Sequence, residues 1–89
     1  MRMEKQLSLK PGVSLAHQED RVGLSLNGRT CWAENATQAE LLHALEQGPQ
    51  CVNALTAVLC RRLGFSPDSG EGALLLAAFI LNFGEFLEP

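Results

Sequence analysis

Two histidines, His17 and His43, and three cysteines, Cys31, Cys51 and Cys60, are the residues of this chain that could supply acid–base, nucleophilic or metal chemistry. Their spacing does not bring them together. His43 falls on a predicted helix where Ala39, His43 and Gln47 share a face turned away from the leucines, so it reads as a solvated side chain. His17 lies in the strand region and is likewise expected to be solvated. Cys51 and Cys60 are nine residues apart. On one helix that separation turns about 900° and sets the thiols on opposite faces, too far apart for a shared ion or a disulfide. Cys31 sits in a predicted strand, and the sequence fixes no partner for it. An odd cysteine count behind the opening Met1-Arg2-Met3-Glu4, which has no apolar signal core, reads as reduced thiols in a cytoplasmic protein. No catalytic residue, metal ligand or cofactor is expected.

Two further chemistries are tested by charge. Gly70 and Gly72 flank Glu71 ahead of a predicted helix, but no Lys-Ser or Lys-Thr follows, and Asp68 and Glu71 would repel a phosphate there. These residues are expected to cap the helix. A hairpin followed by three helices also invites comparison with DNA-binding winged helices. The net charge is −3, and the helix that would enter the groove offers Asn82 as its one base-reading side chain. Nucleic acid is not an expected partner.

The feature left over is apolar. From Ala73 to Leu81 nine apolar residues follow one another, with Phe83, Phe86 and Leu87 close behind. At about 100° per residue they point all round a helix, whereas a surface helix has one apolar stripe. Nine residues span roughly 14 Å as a helix, about half a bilayer core, so the run is not expected to cross a membrane. Leu74, Ala77, Ala78 and Leu81 are expected to pack on the other helices. Leu75, Leu76, Phe79, Ile80 and Phe83 are then left over as a partner surface. A charged residue at Phe79 is expected to abolish binding while the fold survives.

The elements that position these residues follow from local signals. With 89 residues and 46 % apolar composition, the chain is expected to form a single domain, residues 1–6 being a flexible start. Leu7, Leu9, Val13 and Leu15 alternate around Pro11-Gly12 and read as an extended arm or edge strand. Arg21 to Leu26 and Arg29 to Glu34 flank Asn27-Gly28, the strongest short hairpin signal. Two registers fit. A two-residue loop pairs Leu26 with Arg29 and puts Trp32 opposite Gly23, off the leucine face. A type I turn with Gly28 as the bulge residue pairs Val22 with Trp32 and turns the indole into the core. Burial of a lone tryptophan favours the second. Thr37-Gln38-Ala39-Glu40 has the capping-box pattern and predicts the start of a helix that carries Leu41, Leu42 and Leu45 and ends at Gly48-Pro49. A second helix is predicted over 50–63 with the stripe Val52, Leu55, Leu59 and Leu63 and with Val58 beside it, followed by a loop over 64–70 containing Ser66-Pro67-Asp68. The fold class is α+β: an N-terminal hairpin or three-stranded sheet, then three helices.

A hydrophobic groove beside an open strand edge is a known way to hold an extended peptide, and Arg21 or Arg29 at its rim could pair with acidic residues. The sequence carries this arrangement in Val22-Gly23-Leu24-Ser25-Leu26, Asn27-Gly28, Asn35-Ala36-Thr37-Gln38-Ala39-Glu40-Leu41-Leu42 and Glu46-Gln47-Gly48, followed by a valine-leucine helix and an apolar helix ending near Phe86-Leu87. Across residues 7–87 this order resembles the PqqD-like peptide chaperones, also called RiPP recognition elements. The resemblance implies a small winged helix-turn-helix that binds the leader segment of a ribosomally made precursor peptide and presents it to a peptide-modifying enzyme, a radical or ATP-dependent tailoring protein. It implies that the leader adds a strand beside Arg29, Thr30, Cys31, Trp32, Ala33 and Glu34 and lies against Leu75, Leu76, Phe79, Ile80 and Phe83. The apolar excess of the third helix leaves an alternative: a structural or regulatory module that uses this helix as a homodimer seam or a permanent subunit contact.

Overall fold

A computed structural model describes residues 5–66 and 68–88. Residues 1–4 of the expected flexible start, and Pro67 of the predicted loop, lie outside the described residues. Lys5 and Gln6 do not belong to a free arm. The Lys5 carbonyl accepts from the Val52 N–H at 2.9 Å, and Gln6 opens strand β1, Gln6–Leu9.

Pro11 and Gly12 make the reversal that ends β1. The Val13 N–H donates to the Lys10 carbonyl at 3.1 Å, and Gly12 has a φ of +89°, the value that the third position of a type II turn demands after proline. The chain then forms a meander of β2, Ser14–Gln18, β3, Arg21–Leu26, and β4, Arg29–Trp32, in the antiparallel order β2-β3-β4. Its inner face carries Leu15, Val22, Leu24 and Cys31 onto the core. Helix α1, Ala36–Glu46, buries Leu41, Leu42 and Leu45 beneath this sheet. Its N-cap is Asn35, whose side-chain oxygen accepts from the Gln38 N–H at 2.9 Å, so the helix begins two residues before the Thr37 box predicts.

A second small sheet has no counterpart in the sequence reading. Strand β5, Gln50–Cys51, and strand β6, Leu87–Glu88, both pair antiparallel with β1, which is therefore the middle strand of the order β5-β1-β6 and not an edge. Cys51 belongs to β5, so the expected placement of Cys51 and Cys60 on one helix does not hold. Helix α2, Val52–Leu63, ends on Gly64 in the left-handed conformation, and helix α3, Glu71–Phe83, runs into a 3-10 turn over Gly84–Phe86 before β6. One core joins Leu24, Leu41, Leu55, Leu59, Phe79, Phe83 and Phe86. Among the described residues the protein is thus a small α+β domain of two three-stranded antiparallel sheets and three α-helices. No helix of the described residues is long and apolar enough to cross a membrane.

Candidate functional site

The hairpin sets the geometry of the candidate edge. Asn27 and Gly28 have φ of 54° and 82°, both positive as a two-residue I′ turn requires, and Leu26 pairs with Arg29. This is the first of the two registers, so the expected burial of Trp32 in the core is overturned. Trp32 lies opposite Gly23 on the outer face of the sheet, where the missing side chain of Gly23 makes room: a Cβ there would come within 3.0 Å of the indole Cε3 and collide with the Cys31 carbonyl oxygen. The Arg21 guanidinium lies 4.7 Å from the ring centroid. Tryptophan is therefore half-covered by a glycine bed and a cation–π contact instead of by the core.

The same register fixes which main-chain groups are free. The Ala33 N–H donates to the Val22 carbonyl at 2.8 Å, and in an antiparallel ladder the bonded positions alternate, so the main-chain groups of Thr30 and Trp32 face away from β3. Among the described residues β4 pairs with β3 alone, which leaves that edge open. It closes at Glu34, whose N–H donates to the Gln38 side-chain oxygen at 2.8 Å. Gln38 thus ties the end of β4 to the first turn of α1 from both its backbone and its amide.

The last turn of α3 reaches this strand from its inner face. The Cys31 thiol approaches the Asn82 carbonyl at 3.6 Å, and Arg29 pairs with Glu85 just past the helix end at 2.8 Å, so Arg29 already has an acidic partner. Burial, then the charges of Glu34 and Glu85, push the Cys31 thiol above its ordinary value and hold it as the uncharged thiol. One turn and two turns back from Asn82, Ala78 and Leu75 line a cleft of about 270 Å³ between α3, the end of α2 and the start of α1. Asn35, Thr37 and Gln38 form its polar side, Leu63 its rim, and Leu41, Leu59 and Phe79 its floor.

The expected site is therefore assembled in part. Arg29, Thr30 and Glu34 are exposed, Cys31, Trp32 and Ala33 are half-buried, and Leu75 is exposed at the cleft. Leu76, Phe79 and Phe83 are 3 %, 1 % and 0 % exposed, and Ile80 is half-buried against them. Leu76 and Phe83 are core, not groove, and Phe79 offers the cleft only its buried floor, because α3 is rotated so that these side chains meet the sheet and the other helices. Leu74 and Leu81, expected to pack inside, are 73 % and 86 % exposed. Leu63 and the Asn35-to-Gln38 turn also belong to the cleft, although neither was among the expected site residues. The i,i+3 spacing of Asn35 and Gln38 is itself a capping pattern and was the signal available.

The fold does bring His17 and His43, expected apart, near each other. The rings of His17 and His43 approach with centroids 6.2 Å apart, and His43 Nδ1 is 3.9 Å from a Glu46 carboxylate oxygen. Among the described residues no three His, Cys, Asp or Glu side chains converge to hold a metal ion. Comparison with family models, with curated proteins and with solved structures returned no match for this chain.

Proposed function

We propose that this protein is a non-catalytic adaptor of winged helix-turn-helix type, which holds an extended peptide as an added strand on β4 and presents it to an enzyme that modifies it. What supports this is the free edge together with the cleft: Thr30 and Trp32 offer main-chain partners on β4, the end of α3 reaches that strand at Cys31, and the apolar cleft at Leu63, Leu75 and Ala78 opens past Asn35, just beyond the end of the edge. Strand addition of this kind takes its affinity from main-chain hydrogen bonds and its selectivity from a pocket for one or two side chains. The resemblance to PqqD-like chaperones assigns the peptide as the leader of a ribosomally made precursor, and the enzyme as its cytoplasmic tailoring partner.

The test is a titration of isotope-labelled protein with a candidate leader peptide. The amides of Thr30 to Glu34, together with Leu63, Leu75 and Ala78, are expected to shift while the β2 amides stay in place. Leu75→Glu, at an exposed position, should leave the fold intact and weaken binding about tenfold, the loss of one apolar contact worth about 1.4 kcal/mol. Shifts confined to the β1 side of the molecule, or unchanged affinity in L75E, would rule the groove out.

A further inference from the structure

We propose that the outer face of α3 pairs with α3 of a second copy of this chain, antiparallel, about a two-fold axis passing between residues 77 and 78. The face is defined by its exposure. Leu74 and Leu81 stand 73 % and 86 % exposed, and Ala77 and Ala78 between them are exposed as well. At about 100° per residue these four positions fall within one stripe, opposite Leu76, Phe79 and Phe83. No charged residue occurs from Gly72 to Gly84. A stripe of this kind left in water is the usual mark of a contact surface.

The pattern of the stripe selects its occupant. A two-fold interface must be complementary to itself, with residue i meeting j and j meeting i. Leu74, Ala77, Ala78 and Leu81 read the same in both directions about their midpoint, so an antiparallel copy sets Leu74 against Leu81 twice and places alanines at the crossing, where helix axes approach to about 8 Å. The helix dipoles favour this direction: they oppose in an antiparallel pair, whereas a parallel pair would align them and bring the two Glu71 carboxylates together. A thirteen-residue helix is about 20 Å long and covers less than the roughly 800 Å² per partner of a standard interface, so association is weak and depends on concentration. The face meets the cleft at Ala78, which borders both, while Leu75 lies about 100° round the helix from Leu74 on the cleft side, so Leu81, which does not line the cleft, is the position that tests the pairing alone.

Sedimentation equilibrium at rising concentration tests the pairing. The wild-type chain should move from one chain mass to two, and L81E should remain at one chain mass with an unchanged circular dichroism spectrum. An equimolar mixture of L74C and L81C should oxidise to the mixed disulfide in preference to either homodimer, because antiparallel pairing sets residue 74 against residue 81. A wild-type monomer throughout the submillimolar range, or a dimer undiminished in L81E, would overturn the proposal. Preferential formation of the L74C or L81C homodimer would overturn the antiparallel two-fold.

Discussion

On one side of α3, Leu76, Phe79 and Phe83 share a cluster with Leu24, Leu41, Leu55 and Leu59, while on the opposite side of the same helix Leu74 and Leu81 stand in solvent. Both faces are apolar, but the inner one carries two phenylalanines and the outer one alanines at 77 and 78 between its leucines, so side-chain size favours the observed rotation. Backbone approach and the ends of the helix then fix it. At its start, Gly72 is buried against α2, where an added Cβ would lie 2.6 Å from Cys60 Sγ and 3.0 Å from Thr56 Cγ2. At its end, the 3-10 turn carries Phe86 into the core and Leu87 into β6, which pairs with β1. Held at both ends, the helix has one rotation left to it.

The sharpest way to break the contrast is to truncate the inner face. Phe79→Ala removes a ring that is 1 % exposed and sits 4.9 Å, centroid to centroid, from Phe83. The expected loss is about 3–5 kcal/mol, a large part of the stability of a small domain. A urea midpoint in F79A as high as that of the wild type would show that the inner face is not the core. A charged residue at 79 would unfold the protein outright, which replaces the expectation that binding alone would be lost.

An intermediate effect is expected where the rotation is set. Gly72→Val drives a branched side chain into Cys60 and Thr56, and Thr56 cannot turn freely, because its hydroxyl donates to the Val52 carbonyl at 2.9 Å. Overpacking of this kind costs about 1–3 kcal/mol, and α3 must move off α2 to relieve it. Cys60, buried in the native chain, should then react faster with a thiol reagent at a rate that follows the loss of stability. Equal Cys60 reactivity in G72V and the wild type would mean that glycine does not hold this helix pair together.

The rotation of α3 was also the part of the molecule least legible in its sequence. Asn27-Gly28 declared the hairpin, and the leucines of α1 and α2 declared their buried sides, because in each case polar residues marked the opposite face. Nine consecutive apolar residues carry no such contrast. Other failures have local causes. Asn35 and Thr37 each precede a Gln or Glu by three positions; Asn35 prevails, while Glu40 turns to Arg62 at 3.7 Å across α2. The strands β5 and β6 are two residues each, too short for any periodicity. Trp32 was expected inside because tryptophan is usually buried, yet Gly23 and Arg21 cover it from the outer face. Of the candidate site, the edge strand was therefore legible and the helix wall was not.

The smallest effect on the folded monomer is expected at Leu81, and it separates a solvent face from an interface. Leucine and glutamate have similar helix propensities, and the side chain loses little contact with its own chain at 86 % exposure, so L81E should change monomer stability by no more than about 0.5 kcal/mol. Association adds a second signature. A dimer that forms only from folded chains stabilises them by mass action, so the wild-type thermal midpoint should rise with protein concentration. L81E should show a midpoint that does not move, equal to the wild-type value at high dilution. If both proteins keep a constant midpoint, the outer face of α3 is solvent surface and nothing more; if both rise together, the chain associates through some other part of its surface.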